Sequence, residues 1–289
     1  AAEGLLVPLA TVGGELPGMK IKKAKLRGVE SFGMLCSARE LGLQDDVDGL
    51  MVLPVDAPLG ASLRDYLKLD DTVIEIDLTP NRGDCLSMHG VAREVSVANS
   101  IDIDLPVYSA VTPELNDVLD IRVDSIADCP RYAGRVIREI NPAAAAPIWM
   151  RERLRRAGIG SISLPVDVTN YVMLEMGQPM HAFNLDKLSG GINVRRSKTG
   201  EQIELLDGQS IDLSENSLLI TDDNGPVALA GIMGGAGTAV DAQTTNLFME
   251  SACFSQDAVA GWGRHYKLHT DSLHRFERGV DPQLQIEAL

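Results

Sequence analysis

Residues 166–188 read VDVTNYVMLEMGQPMHAFNLDKL. No clean apolar period of 3.6 or of 2 runs through them, so the expectation is an irregular segment, broken at Gly177 and Pro179. His181 then falls in a turn, GQPMHAF (177–183), between Met180 and Ala182. An imidazole there has two readings: a core histidine satisfied by a backbone carbonyl, or part of a site.

Outward from this stretch the patterns are clearer. LDIRVDS and RYAGRVIREI read as strands. Pro147 opens a helix, IWMRERLRRAG, that Gly158 closes. Its cations Arg151, Arg153, Arg155 and Arg156 are a solvated face or a phosphate contact. Two hairpins follow, turning at Asp207-Gly208 and at Asn224-Gly225. A glycine-rich loop, GIMGGAGTAV, leads to a strand, TTNLFMESACF, and a helical region from about Ser255. Upstream, residues 1–62 read as β-rich with turn signals at Gly13-Gly14 and Pro17-Gly18. TVIEIDLT reads as a strand. A helix follows with Asp84 as its cap and Leu86, Val91, Val95 and Ala98 as an apolar stripe. Residues 102–117 hold two prolines and little periodicity, the signature of a linker.

The 289 residues suffice for about two domains, and 45% apolar content allows buried cores. No window approaches the ~18 apolar residues of a membrane span, and no secretion signal is present, so the cytoplasm is expected. Cys36, Cys85, Cys129 and Cys253 lie far apart with no CxxC pair, which argues against a zinc or disulfide framework. A net charge of −15 makes the chain a poor non-specific binder of DNA or RNA. Against that background Lys20, Lys22, Lys23, Lys25 and Arg27 form a local basic strip. It is a lysine-guarded edge strand or an RNA contact. The start without Met and the end inside a helical pattern read as an internal fragment.

Four features can carry chemistry. Gly231, Gly234, Gly235 and Gly237 have neither P-loop nor dinucleotide spacing; they form a tight bend or a wall that a ligand approaches closely. Glu250 ends an apolar strand, where a carboxylate must face water, a partner or a ligand. His265 and His269 have helical zinc spacing but no third ligand, so no metal is expected. No GxSxG elbow or activated cysteine is present, so hydrolysis here would use water directly.

Four motifs then point further: LPGMKIKKAKLRGVESFGMLCS (16–37), IEIDLTPNRGDCLSMHGVARE (74–94), VDVTNYVMLEMGQPMHAF (166–183) and HTDSLHRFERGVDP (269–282). In this order they resemble the β subunit of bacterial phenylalanyl-tRNA synthetase, over essentially the whole chain. The resemblance implies a multidomain α+β protein. Residues 1–62 would be the C-terminal part of an OB-fold (partial β-barrel) tRNA-binding module. Residues 63–110 would be a small α/β segment of the domain that module interrupts, with a linker. Residues 111–289 would be a mixed α+β editing module with β-hairpins and a mixed sheet.

The resemblance also implies an activity: hydrolysis of tyrosine mischarged onto tRNA(Phe). His181, Thr169 and Asn170 would do or support the chemistry. Glu250 would recognise the tyrosine hydroxyl, with Gly234, Pro179 and Thr270 lining the pocket. Partners would be tRNA(Phe) and an α subunit, in an α2β2 assembly. ATP and Mg2+ would serve the full enzyme through the α subunit, with no cofactor in this chain. Gly160 and Ser272 depart from the family pattern, which expects a basic residue and an alanine there. An RNA-binding or assembly scaffold with an inactive pocket is the other reading.

Overall fold

A computed structural model describes residues 2–43 and 49–289. The chain divides into two compact units, Ala1–Ile74 and Glu75–Leu289.

The first unit holds β1 (Leu9–Thr11), β2 (Glu15–Leu16), β3 (Met19–Lys20), β4 (Ala24–Leu26), β5 (Val29–Ser31), β6 (Gly33–Leu35) and a short helix α1 (Leu63–Tyr66). The strands pair as β1–β6, β2–β3 and β4–β5. These are separate ladders, and the described residues form no closed barrel. The basic strip spans β3 and β4. Its five cations are all exposed.

The second unit opens with α2 (Met88–Asn99). Its cap is Ser87, whose hydroxyl accepts from the Gly90 N–H at 3.0 Å. Asp84 instead sits in the preceding turn, bonded to Arg82. α2 buries His89 and Gly90 and leaves Val95 exposed, so the expected stripe is not its packed face. TVIEIDLT is not a strand here: residues 72–79 form no ladder with the other described residues.

The remaining elements are β7 (Ile121–Val123), β8 (Arg131–Ile137), α3 (Ile148–Arg156), α4 (Leu164–Met176), β9 (Met180–Asn184), β10 (Ile192–Arg196), β11 (Gln202–Glu204), β12 (Ser210–Asp212), β13 (Leu218–Asp222), β14 (Gly225–Leu229), β15 (Met233–Gly234), β16 (Leu247–Cys253), α5 (Gln256–Val259), α6 (Trp262–Tyr266), α7 (Asp271–Phe276) and α8 (Gln285–Ala288). A mixed sheet runs β15-β14-β13-β10-β7, with β7 parallel to β10. A second sheet runs β8-β16-β9, antiparallel throughout.

The opening stretch corrects its own reading. Residues 164–176 are helix and residues 180–184 are strand. Pro165 occupies the first turn, and Gly177 ends the helix at φ +87°, a conformation glycine adopts without penalty. The helix hid because Val166, Val168, Thr169 and Val172 are β-branched and disfavour helix locally. Packing on several sides also blurs its period. Leu164, Val168, Tyr171 and Leu174 pack on Met150 and Leu154 of α3. Met173 and Met176 are buried on another face. Tertiary burial, at roughly 1.5–3 kcal/mol per large apolar side chain, outweighs the local preference.

β16 is buried at every position because both faces are covered. Phe248 and Ala252 join a large core with Phe183, Leu219, Leu229 and Phe276. Leu247 and Met249 join a smaller one with Ala182. Such strands read as continuous apolar runs, so a carboxylate at Glu250, in the middle of the strand rather than at its expected end, stands out.

Candidate functional site

The site is built on the β8-β16-β9 sheet. Register sets Glu250 opposite Gly134 on β8 and opposite His181 on β9. His181 therefore lies on a strand, not in a turn. Tyr132 is one pleat along from Gly134, on the same face. Its hydroxyl donates to Glu250 Oε2 at 2.8 Å. Tyr132, Glu250 and His181 thus form a polar row across three strands, against an otherwise apolar core.

Burial drives the electrostatics. Glu250 is 6% exposed, and desolvation pushes its carboxyl up to about 7 despite the Tyr132 bond, which favours the ionised form. Burial also pushes the His181 imidazole down to about 4, so it is neutral near pH 7. The Tyr132 hydroxyl is held well above its ordinary range by burial and by the Glu250 charge. His181 Nε2 is buried with no hydrogen-bond partner, and the ring meets Phe183 edge-on with centroids 4.4 Å apart.

β15 passes this ring so closely that a Cβ at Gly234 would lie 2.7 Å from His181 Nε2 and 3.1 Å from Leu206 Cδ1. No side chain fits there without displacing the imidazole. Gly235 is equally constrained by the Val227 carbonyl, which its N–H bonds at 2.8 Å. That N–H is therefore not free to serve a ligand.

Two adjoining cavities meet at this point. The inner one, about 60 Å³, is lined by Pro179, Glu250, Phe254 and Phe276. The outer one, about 920 Å³, is lined by Thr169, Asn170, Arg151, Ser163 and Thr270. His181, Gly234 and Ser272 line both. The seven pocket residues expected from the sequence are thus brought together from five separate segments.

Their hydroxyls are partly committed. Thr169 donates to the Val166 carbonyl at 2.9 Å. Thr270 donates to the Ile232 carbonyl at 2.9 Å and caps α7 by accepting from Leu273 N–H. Neither has a proton left for a ligand. The Asn170 side chain makes no hydrogen bond within the described residues, so its amide remains available. Buried Arg151 Nε and Ser163 Oγ also lack partners. Glu152 is paired with Arg155 and Arg156, which leaves Arg151 as the α3 cation turned to the outer cavity. Asp167, fully buried, accepts from Ser161 Oγ at 2.5 Å and Ile162 N–H at 2.9 Å and so holds that cavity's rim.

Tyr132 and Arg151 were not legible as site residues. Tyr132 meets Glu250 only through strand pairing across 118 positions, and Arg151 was one of four similar cations. His265 bonds Ser214 Oγ at 2.7 Å rather than pairing with His269. Among the described residues one group has metal-ligand geometry, Asp84, Cys85 and Glu94. Arg82 bonds both of its carboxylates, so a guanidinium already meets that charge. Of the basic strip, Lys20 pairs with Glu15 and Lys23 with Glu30.

In this mixed α+β fold a Glu–Tyr pair, an imidazole whose Nε2 has no partner and a glycine wall surround two adjoining cavities. Residues 128–289 match the family model described as the B3/4 domain, and the chain belongs to that family. Its curated relatives are phenylalanine–tRNA ligase beta subunits, as the motifs indicated. Those of Colwellia psychrerythraea and Photorhabdus laumondii are each 56% identical over 99% of this chain. That of Thiobacillus denitrificans is 55% identical over 97% of it. The chain spans 36% of the length of each of these relatives. A solved N-terminal fragment of the phenylalanyl-tRNA synthetase beta-subunit from Pyrococcus horikoshii is 17% identical, with a TM-score of 0.37. The match covers 66% of this chain and 63% of that one, a likeness too slight to bear on the fold. No helix among the described residues is long and apolar enough to cross a membrane.

Proposed function

We propose that the double cavity hydrolyses the ester of tyrosine mischarged onto tRNA(Phe), as part of a phenylalanine–tRNA ligase. One observation carries this reading. Glu250 has one oxygen held by Tyr132, and Oε1 makes no hydrogen bond among the described residues, at the floor of a chamber lined by Phe254 and Phe276. That is an acceptor for a phenolic hydroxyl at the end of an aromatic slot.

The need for such a site is physical. A pocket built for phenylalanine rejects an added hydroxyl only about a hundredfold. A second site that bonds the hydroxyl reverses the preference, since phenylalanine would leave Glu250 Oε1 without a partner at roughly 1–3 kcal/mol. The inner chamber is smaller than the ~150 Å³ that holds a benzene ring. Entry of a phenol therefore requires Met180 and Met233, both flexible, to move aside.

The ester would lie where the cavities meet, beside His181 and Gly234. The neutral His181 Nε2 accepts a hydrogen bond from the attacking water or a ribose hydroxyl. With its basicity pushed down to about 4 it orients rather than deprotonates. Asn170 can donate to the developing oxyanion. Arg151 can meet a phosphodiester of the RNA end. Residues 1–62 we read as part of the OB-fold module, with Lys20, Lys22, Lys23, Lys25 and Arg27 contacting RNA. Pairing with an α subunit in an α2β2 assembly, ATP and Mg2+ use by that subunit, and a cytoplasmic location complete the reading.

Deacylation of Tyr-tRNA(Phe) and Phe-tRNA(Phe) by the purified protein tests it. His181→Ala should slow tyrosine release at least tenfold. Glu250→Ala should bring the two rates together. Equal rates for wild type and both variants would reject the reading in favour of a scaffold with an inactive pocket.

A further inference from the structure

We infer that Tyr132 is a positioning residue for Glu250: its hydroxyl holds one carboxylate oxygen so that the other stands as a single, aimed acceptor for a phenolic hydroxyl. This rests on the reading of Glu250 as that acceptor.

Three observations support it. First, Tyr132 is the one hydrogen-bond partner of the Glu250 carboxylate among the described residues, at 2.8 Å and partly buried against the core. His181, the register partner across β9, makes no bond to it through Nε2. Second, the position directly opposite on β8 is Gly134. A Cβ there would run into the Phe248 ring, so no side chain at that position can share the work. Third, the terminal torsion of a glutamate is broad and nearly two-fold. Without a fixed partner the carboxylate could turn and offer either oxygen at any angle. The bond Tyr132 makes is itself phenol to carboxylate, the same chemistry a tyrosyl ligand would present to Oε1.

The pairing also sets the protonation of the acceptor. The titratable groups facing Glu250 are Tyr132 from β8, Cys129 just before that strand and His181 from β9. Burial holds the Cys129 thiol and the Tyr132 hydroxyl neutral well into alkaline pH, and holds His181 neutral down to about 4. Glu250 is therefore the group of this row that ionises near neutrality. Removing the Tyr132 hydroxyl removes a bond that favours its ionised form.

The test uses the full chain as wild type, Tyr132→Phe, Glu250→Gln and the double variant. Dissociation constants for L-tyrosinamide and L-phenylalaninamide are measured by calorimetry from pH 5.5 to 9, with ester deacylation in parallel. Wild type should prefer tyrosinamide, increasingly as pH rises through about 7. Tyr132→Phe, which keeps the ring and its packing, should lose about tenfold of that preference at pH 7. Its midpoint should move up by roughly one to two pH units. The double variant should discriminate no worse than Glu250→Gln alone. An unchanged preference and midpoint in Tyr132→Phe would overturn the inference, as would a wild type indifferent to the two amides. A wild type that prefers tyrosinamide but leaves the ester intact would sink the hydrolytic reading and leave this one standing. If Tyr132→Phe does not fold, incorporation of 3-fluorotyrosine supplies a stronger donor on the same ring. The midpoint should then fall, and an unmoved midpoint would reject the role.

Discussion

Glu250 and His181 face each other across a strand pair, and burial pushes them in opposite directions. Each shift is worth about 3 kcal/mol at order of magnitude. Glu250 binds its proton more tightly when folded, so its contribution to stability is full below about 4.5 and is lost as pH rises toward about 7. His181 binds its proton less tightly when folded, so its contribution is full above about 6.5 and is lost as pH falls toward about 4. Between about 4.5 and 6.5 the two slopes cancel. Denaturant unfolding across pH 4–8 should therefore be nearly flat for this pair in the wild type. Glu250→Gln should expose the histidine slope, with stability rising with pH. His181→Gln should expose the opposite slope. Parallel pH profiles for both variants would contradict the paired burial.

At the level of elements, α4 is the piece whose identity the residues concealed. The same β-branched run that hid the helix places Thr169 and Asn170 on the outer cavity, and Gly177 turns the chain directly into β9 and His181. Two sites a dozen residues apart are thereby brought to one wall. Asp167, near the start of α4, ties this helix to Ser161 and Ile162. Asp167→Ala should cost roughly 2–3 kcal/mol, since hydrogen bonds to a buried carboxylate are lost. It should also weaken any activity of the cavity that Ser161 and Ile162 rim. A melting temperature within a degree of wild type would show that the rim does not depend on Asp167. The hairpins, by contrast, were readable from local turn chemistry, although the second turns at Asp223-Asn224, one residue before the expected Asn224-Gly225.

Over the whole molecule the charge is distributed unevenly, which bulk composition conceals. A chain of net charge −15 carries Lys22, Lys25 and Arg27 exposed and without an ion pair among the described residues, while Lys20 and Lys23 are engaged by Glu15 and Glu30. If the strip contacts RNA, replacing Lys22, Lys25 and Arg27 with alanine should weaken tRNA binding. It should also flatten its salt dependence by about one log unit per lost phosphate contact. Replacing Lys20 and Lys23 should do less. An identical salt slope in both variants would remove the strip from the interface.

The residues alone were enough for the α+β class, the hairpins, α3, the presence of a strand around Glu250 and, through four motifs, the family. These rest on short-range signals: turn chemistry, caps and apolar runs that neighbours in sequence determine. They also marked His181, Gly234 and Glu250 as unusual. Tertiary structure alone decided that 164–176 is a helix and that 72–79 is not a strand. It alone showed that Thr169 and Thr270 have no hydroxyl proton to spare, and that Tyr132 holds Glu250. The Thr169 bond reaches back only to Val166, but the Thr270 and Tyr132 bonds span 38 and 118 positions. Burial of α4 outweighs its local preference, and strand register brings a tyrosine hydroxyl to a carboxylate that no spacing in the sequence connects.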